Sequence, residues 1–395
     1  MRVPALASIL LSTITLFVNP ANADEWYLQP SVQERTLAND NVTLNRSKKQ
    51  PVVGGILSPQ LRIGHRSETL DFNLTGRTDL NGYIVNSQLS TVDTRAQFQG
   101  TYTGELSRLS LNAEYNRDTI FNDIEDSSGS SEQAIRTMTT TVTPAWSYEI
   151  TELDQINLSA RYFDRSYGQS QKEHTDYTSY SASANWQHRL SPTDAVSVGG
   201  SYTRFLPDDQ SNTKENIYNL NFGWTHEFSE RFHFEASAGP SLTDKTSEAP
   251  NSQENGGQTS DLTYNANLLA SYQINDLTRF VASYSRKSEP TSNGTTKDRD
   301  RVALTLDYRA TESVTLSMHA AYTGNESGSS RSQNGSFKRL ISLEPSIAWQ
   351  IDEDVDLSLS YRFLQKTFKS PSDTAESNAV FLTLTYRPEE WLWSD

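Results

Sequence analysis

Between residues 340 and 363 the chain alternates apolar and polar side chains with little interruption. Ile341, Leu343, Pro345, Ile347, Trp349 and Ile351 interleave with Ser342, Glu344, Ser346, Ala348 and Gln350. After a polar turn at Asp352, Glu353 and Asp354, the residues Val355, Leu357, Leu359, Tyr361 and Phe363 interleave with Asp356, Ser358, Ser360 and Arg362. A period of two held for ten or more residues dictates extended strands with one apolar and one polar face, because successive side chains on a strand point to opposite sides. Strands of soluble sandwiches run to about half this length. A tilted strand of roughly ten residues is what a bilayer requires. A long hairpin in a soluble sheet would alternate in the same way, so the argument turns on recurrence.

The pattern recurs through the whole chain. Alternating stretches begin at 26–33, 53–63 and 70–77 and continue to 377–387. Short turns, such as Thr103-Gly104, Ser229-Glu230 and Asn275-Asp276, take turns with long Ser/Gly/Asn/Asp connections, such as 123–132, 244–257, 289–297 and 324–336. This regular alternation predicts an all-β fold: one transmembrane antiparallel β-barrel of about 18 strands, with about 16 as the neighbouring even count. Short turns belong on the periplasmic side and long loops outside, which places both termini in the periplasm. Trp146, Trp186, Trp224, Trp349, Tyr272 and Tyr308 fall near the short turns, while Tyr115, Tyr162, Tyr202, Tyr284, Tyr322 and Tyr361 fall several residues beyond them. Two belts of amphipathic rings at two membrane interfaces account for that sorting.

Composition narrows the class further. Arg2, the apolar run 5–18 and the small residues Ala21 and Ala23 form a secretory signal, which predicts a signal peptide over 1–23, a barrel over 24–387 and a short tail over 388–395. Beyond that run no apolar stretch is long enough for a transmembrane helix. The chain has no cysteine, which excludes disulfides and thiolate metal sites. Its formal net charge of -15 disfavours nucleic-acid binding through a basic surface. Prolines repeat in one frame, at Pro30, Pro59, Pro144, Pro240 and Pro345. Proline cannot donate to a strand ladder, so most of these are expected near the turn end, where bulges are common; Pro240 lies farther from its turn.

The polar phase carries the candidate site residues. They are Arg62, Arg77, Asp93, Arg95, Glu114, Arg161 and Glu235 in the first two thirds of the chain, then Arg279, Arg301, Asp307, Arg309, Glu344, Asp356 and Arg362. Both signs lie among Ser, Thr, Asn and Gln. This composition suits either a pore whose field selects polar or charged solutes, or a set of ion pairs that stiffen the wall. Arg279, Arg301, Arg309 and Arg362 would form a positive strip if left unpaired, and Asp307, Glu344 and Asp356 are the acids that would neutralise it. Two histidines share the inward phase: His233 near Glu235, and His319 facing the strand of Ser342 and Glu344. A Ser/His/acid hydrolase site is the catalytic alternative there. No phosphate loop, His-x-x-x-His pair or dense carboxylate loop is present, so neither a metal nor a cofactor is expected.

The two ends of the chain carry a family likeness. Trp26, Pro30-Ser31-Val32, Asp40-Asn41-Val42 and Ser58-Pro59 at the start, with Tyr361-Arg362, residues 377–382 and Tyr386 at the finish, resemble a family of outer-membrane β-barrels. That family is associated with exopolysaccharide and exosortase (PEP-CTERM-type) systems and lies close to the β-barrel porins. The resemblance implies a bacterial outer-membrane location, membrane lipid and a polar solute or polysaccharide as contacts, and secretion-system components as further partners. It supplies no catalytic residues. The functional readings are a porin-like channel for polar solutes or glycans, linked to exopolysaccharide export, and a non-conducting surface barrel presenting acidic loops. Family barrels end on an aromatic residue, whereas here 387–395 extends past Tyr386, either as a tail or as an extended terminus.

Overall fold

The computed structural model describes residues 24–120, 135–168, 174–210, 212–247, 257–291, 294–326, 337–368 and 373–394. The expected signal peptide and most of the connections 123–132, 244–257 and 324–336 lie outside the described residues. In chain order the strands are β1 (Glu25–Asn39), β2 (Val52–Arg66), β3 (Leu70–Val85), β4 (Thr91–Thr103), β5 (Ser107–Ile120) and β6 (Ile135–Glu149). Then follow β7 (Asp154–Tyr167), β8 (Tyr177–Arg189), β9 (Asp194–Pro207), β10 (Lys214–Ser229), β11 (Phe232–Thr246) and β12 (Gln258–Asn275). The last are β13 (Thr278–Pro290), β14 (Thr296–Arg309), β15 (Val314–Glu326), β16 (Phe337–Gln350), β17 (Val355–Phe368), β18 (Thr374–Tyr386) and β19 (Trp391–Ser394). Each of β1 to β18 pairs antiparallel with its sequence neighbours, and β18 returns to pair with β1 from Val32↔Tyr386 to Asn39↔Ala379. The result is a closed antiparallel barrel of eighteen strands, as the alternation predicts.

Several strands outrun the alternating stretches read from sequence. β1 continues to Asn39, β13 to Pro290, and β14 already begins at Thr296. The residues beyond Tyr386 also join the wall. After one extra residue in the linker, β19 pairs with the start of β1, from Leu28↔Trp391 to Glu25↔Ser394. Arg66 at the end of β2 reaches across β1 to Glu390 with bonds of 2.9 and 3.4 Å, tying the linker down.

Register separates the two faces cleanly. On β14, Leu304, Leu306 and Tyr308 are 40%, 39% and 40% exposed, and they alternate with Thr305 and Asp307 on the inner face. The same exposed apolar row runs round the barrel, a surface far too large for a water-soluble monomer and suited to lipid. At the turn end the register sets Tyr102, Tyr148, His188, His226, Tyr272, Tyr308, Trp349 and Tyr386 at one height, each opposite the first residue of the preceding strand. The two histidines interrupt this ring in matching fashion. His188 and Trp186 both bond Asp154, at 2.8 and 3.2 Å, and His226 and Trp224 bond Asp194 at 2.7 and 3.3 Å.

The prolines correct the expectation of bulges at the turn end. Pro59 sits in the middle of β2. Beside it the β2–β3 ladder skips from Leu57↔Leu80 to Gln60↔Arg77, whereas the β1–β2 ladder continues through Val32↔Pro59. Pro144, Pro240 and Pro345 do the same toward β7, β10 and β17, with no change of register. A missing N–H thus removes rungs toward one neighbour only. This also accounts for Pro240, since Gly239 beside it approaches the Leu220 carbonyl closely enough that a Cβ would clash. Only at Pro30 does an extra residue enter, in the β18–β19 linker.

Candidate functional site in the lumen

All fourteen candidate residues lie on the inward phase of their strands by register. Their contacts differ. Arg77 bonds Asp79 at 2.7 Å together with Gln33 and Ser58. Asp93 takes Arg136 at 2.9 Å and Asn81 at 2.9 Å. Arg95 lies 3.6 Å from Glu114, with Asn116 bonded to both. Arg62 stacks over the Tyr27 ring and Arg161 over Phe163. Arg362 bonds Glu344 at 2.6 Å, beside the rungs that Pro345 removes, and stacks on Phe381 opposite Arg35. These contacts run along the wall, within one strand or between strands one or two apart, and stiffen it.

The proposed arginine strip is split. Arg362 is neutralised by Glu344. Arg279 faces Asp307 in register yet bonds Ser271 at 3.4 Å, while Asp307 accepts from Ser317 at 2.6 Å. Among the described residues the side chains of Arg301, Arg309 and Asp356 have no hydrogen-bond or ion-pair partner. The histidine sets do not assemble a hydrolase triad. His233 is held by Glu235 at 2.7 Å and by Glu227, and His319 bonds Thr305 at 3.1 Å although its register partner is Glu344.

Two segments narrow the loop end of the lumen. The β1–β2 connection tucks inward, with Asn41 and Leu44 fully buried. The Asn41 side-chain amide donates to the carbonyls of Asn45 (3.0 Å) and Glu376 (2.8 Å) and accepts from the Asn45 N–H (3.0 Å). Leu44 takes a left-handed φ of 48°, which costs about 1–2 kcal/mol for a residue with a Cβ. It packs with Leu364, Phe368 and Ala375, and burying a leucine contributes about 1.5–3 kcal/mol, so burial outweighs the strain. Asp40 clasps the connection to β18. Asn378 donates to it from its backbone (2.7 Å) and its amide (3.1 Å), and Lys49 adds a bond of 3.0 Å. Partial burial pushes the Asp40 carboxyl up, but these bonds outweigh it and hold the group below its ordinary value.

The second segment is the β13–β14 tip. Glu215 on β10, with a side chain only 2% exposed, bonds Lys245 at 3.1 Å and both the N–H (3.1 Å) and hydroxyl (2.6 Å) of Thr296. Gly294, at φ 74°, lies against Pro207 and Thr175. The tip therefore crosses the mouth from β14 to the β8–β10 wall. Beneath it lies a cavity of about 650 Å3, lined on one side by Phe163, Arg165 and Tyr177 and on the other by residues of β13 to β17. Glu215, Arg165, Lys287 and Arg299 were not singled out from the sequence. The last two lie on the polar phase just beyond the stretches read as strand, so extending the alternation to the true strand ends would have found them.

The sequence pattern of the surface lipoprotein assembly modifier family matches residues 67–272, just over half of the chain, from the β2–β3 turn through β12. That stretch lies between the terminal motifs that resemble exopolysaccharide-associated barrels and includes none of them. No curated protein matches. Among solved structures, the ferric citrate transporter FecA in its unliganded form is similar at 10% identity and TM-score 0.50, over 87% of this chain and 60% of that one. This chain thus spans less than two thirds of FecA. OpdO of Pseudomonas aeruginosa aligns at 9% identity and TM-score 0.48, over 92% of this chain and 98% of that one. The outer membrane protein OpdK of the same organism aligns at 11% and 0.49, over 92% and 99%. At such identity the likeness to FecA is one of fold alone.

Proposed function

This chain belongs to the surface lipoprotein assembly modifier family, and from that premise we propose that it works in the bacterial outer membrane as a porin-like, non-catalytic channel with a narrowed loop-end mouth. The observation that carries the reading is the tip held by Glu215: it crosses a polar lumen above a cavity lined by charged side chains. Eighteen strands enclose more space than their own side chains fill, so an aqueous path is the default for such a barrel. In this reading the loop end faces outward, polar solutes pass the lumen, and Arg301 and Arg309, without partners among the described residues, bias selectivity toward anions. Reconstitution in planar bilayers tests it. Steady conductance whose reversal potential moves toward cation preference in Arg301→Ala supports the channel, and absence of current overturns it.

A narrower form of the proposal is passage of glycans in exopolysaccharide export, alongside secretion-system components. It is supported by the likeness of the terminal motifs, and loss of secreted polysaccharide in a deletion strain would test it. A second reading is that the barrel helps place lipoproteins on the cell surface. The family match favours it, and shaving of surface lipoproteins by protease in cells with and without the chain would decide it.

A further inference from the structure

We propose that the cavity beneath the β13–β14 tip is a binding station for a small organic anion carrying two or more negative charges. The site rests on the channel reading for its access route, but its own evidence is separate. Arg165 lies on the β7 wall, while Lys287, Arg299, Arg301 and Arg362 line the opposite side. The acids on the lining are Glu289 and Glu344. Glu289 is shared by Lys287 at 2.5 Å and Arg299 at 2.9 Å, and Glu344 is taken by Arg362. Arg165 is engaged by other groups of the chain, Thr139 among them; the remaining four cations against two carboxylates leave a surplus of two positive charges inside a chain whose net charge is -15. An acidic protein gains nothing in solubility by collecting cations inside its lumen. Such a concentration has physical use if an anion completes it.

Arg301 is the anchoring group. It faces the cavity with no partner among the described residues, and its guanidinium presents the forked donors that match a carboxylate or a phosphate. The chamber, about 650 Å3, admits a molecule of a few carbons together with its water. The charges come from walls many strands apart, so a ligand with two separated anionic groups can engage both at once. A singly charged ligand engages one wall only. Because the acids already neutralise part of the ring, binding stays weak enough for release, as conduction requires.

Equilibrium dialysis of the detergent-solubilised full chain with labelled succinate, and in a second arm with glucose 6-phosphate, reads the site without needing current. Saturable uptake of either probe, weakened about tenfold or more in Arg301→Gln, is the expected result, since a charged hydrogen bond contributes at about that level. Uptake of both probes assigns the site to doubly charged anions at large, and uptake of one assigns it to that chemistry. Lys287→Gln is the second variant, expected to weaken uptake less because Lys287 already pairs with Glu289. The absence of saturable uptake, or equal uptake by wild type and Arg301→Gln, overturns the proposal. A chain that binds succinate but passes no current would overturn the channel reading and leave the site standing.

Discussion

Single residues hold the loop end in place, and two of them make testable claims. Glu215 is a buried carboxylate whose partners come from two other strands, so Glu215→Gln keeps the volume but loses the charge-assisted bonds to Thr296 and Lys245. The expected cost is about 1–3 kcal/mol, with the tip released. Thermal unfolding in detergent and single-channel conductance would read these, with conductance rising. Unchanged conductance would show that the tip does not limit the path. Asp40 makes a claim about pH. Its folded-state pKa lies below its unfolded value, so its contribution is present above the unfolded value of 3.8 and is lost as pH falls through the lower folded one. Hydrogen exchange of the 40–51 connection should therefore stay flat from pH 8 to 5, after correction for intrinsic rates, and loosen only in stronger acid. An onset near pH 6 would assign the loosening to another group.

At the scale of strands, the phase of the alternation decides what each position tolerates. Leu359 is exposed on the outer face, and Ser360 beside it faces the lumen. Leu359→Lys should cost about 2–4 kcal/mol near the middle of the membrane, and Ser360→Lys far less. Urea unfolding of the refolded barrel in lipid would compare them, and equal damage would break the register. The β10–β11 pair offers a second check. Gly239→Val would drive a side chain into the Leu220 carbonyl, so the ladder must move, and folding yield should fall sharply while Gly76→Val, which meets open space, folds normally. Pro240 was opaque as sequence because a lost rung shows only once both neighbouring strands are known.

The whole barrel sets an orientation, and long connections such as 247–257 carry it. Protease added to intact cells should nick them if the loop end faces outward, and cleavage only after the outer membrane is permeabilised would invert the reading. How far the molecule was legible beforehand follows from the range of each interaction. Strand number, the inward phase of Arg301 and Glu344, and the belt that includes Tyr272 and Tyr308 all follow from a period of two, which is local sterics read against one apolar surroundings. The sequence by itself therefore determined that this chain is a membrane barrel with a polar lumen. It could not say that Arg362 is paired with Glu344 whereas Arg301 has no partner among the described residues. Nor could it place Arg165 across a cavity from Arg301, or send Thr296 to Glu215, 81 residues away. Those outcomes depend on how the closed wall curves and where the loop-end connections turn inward, and only the tertiary structure decides between partners that local spacing leaves equivalent.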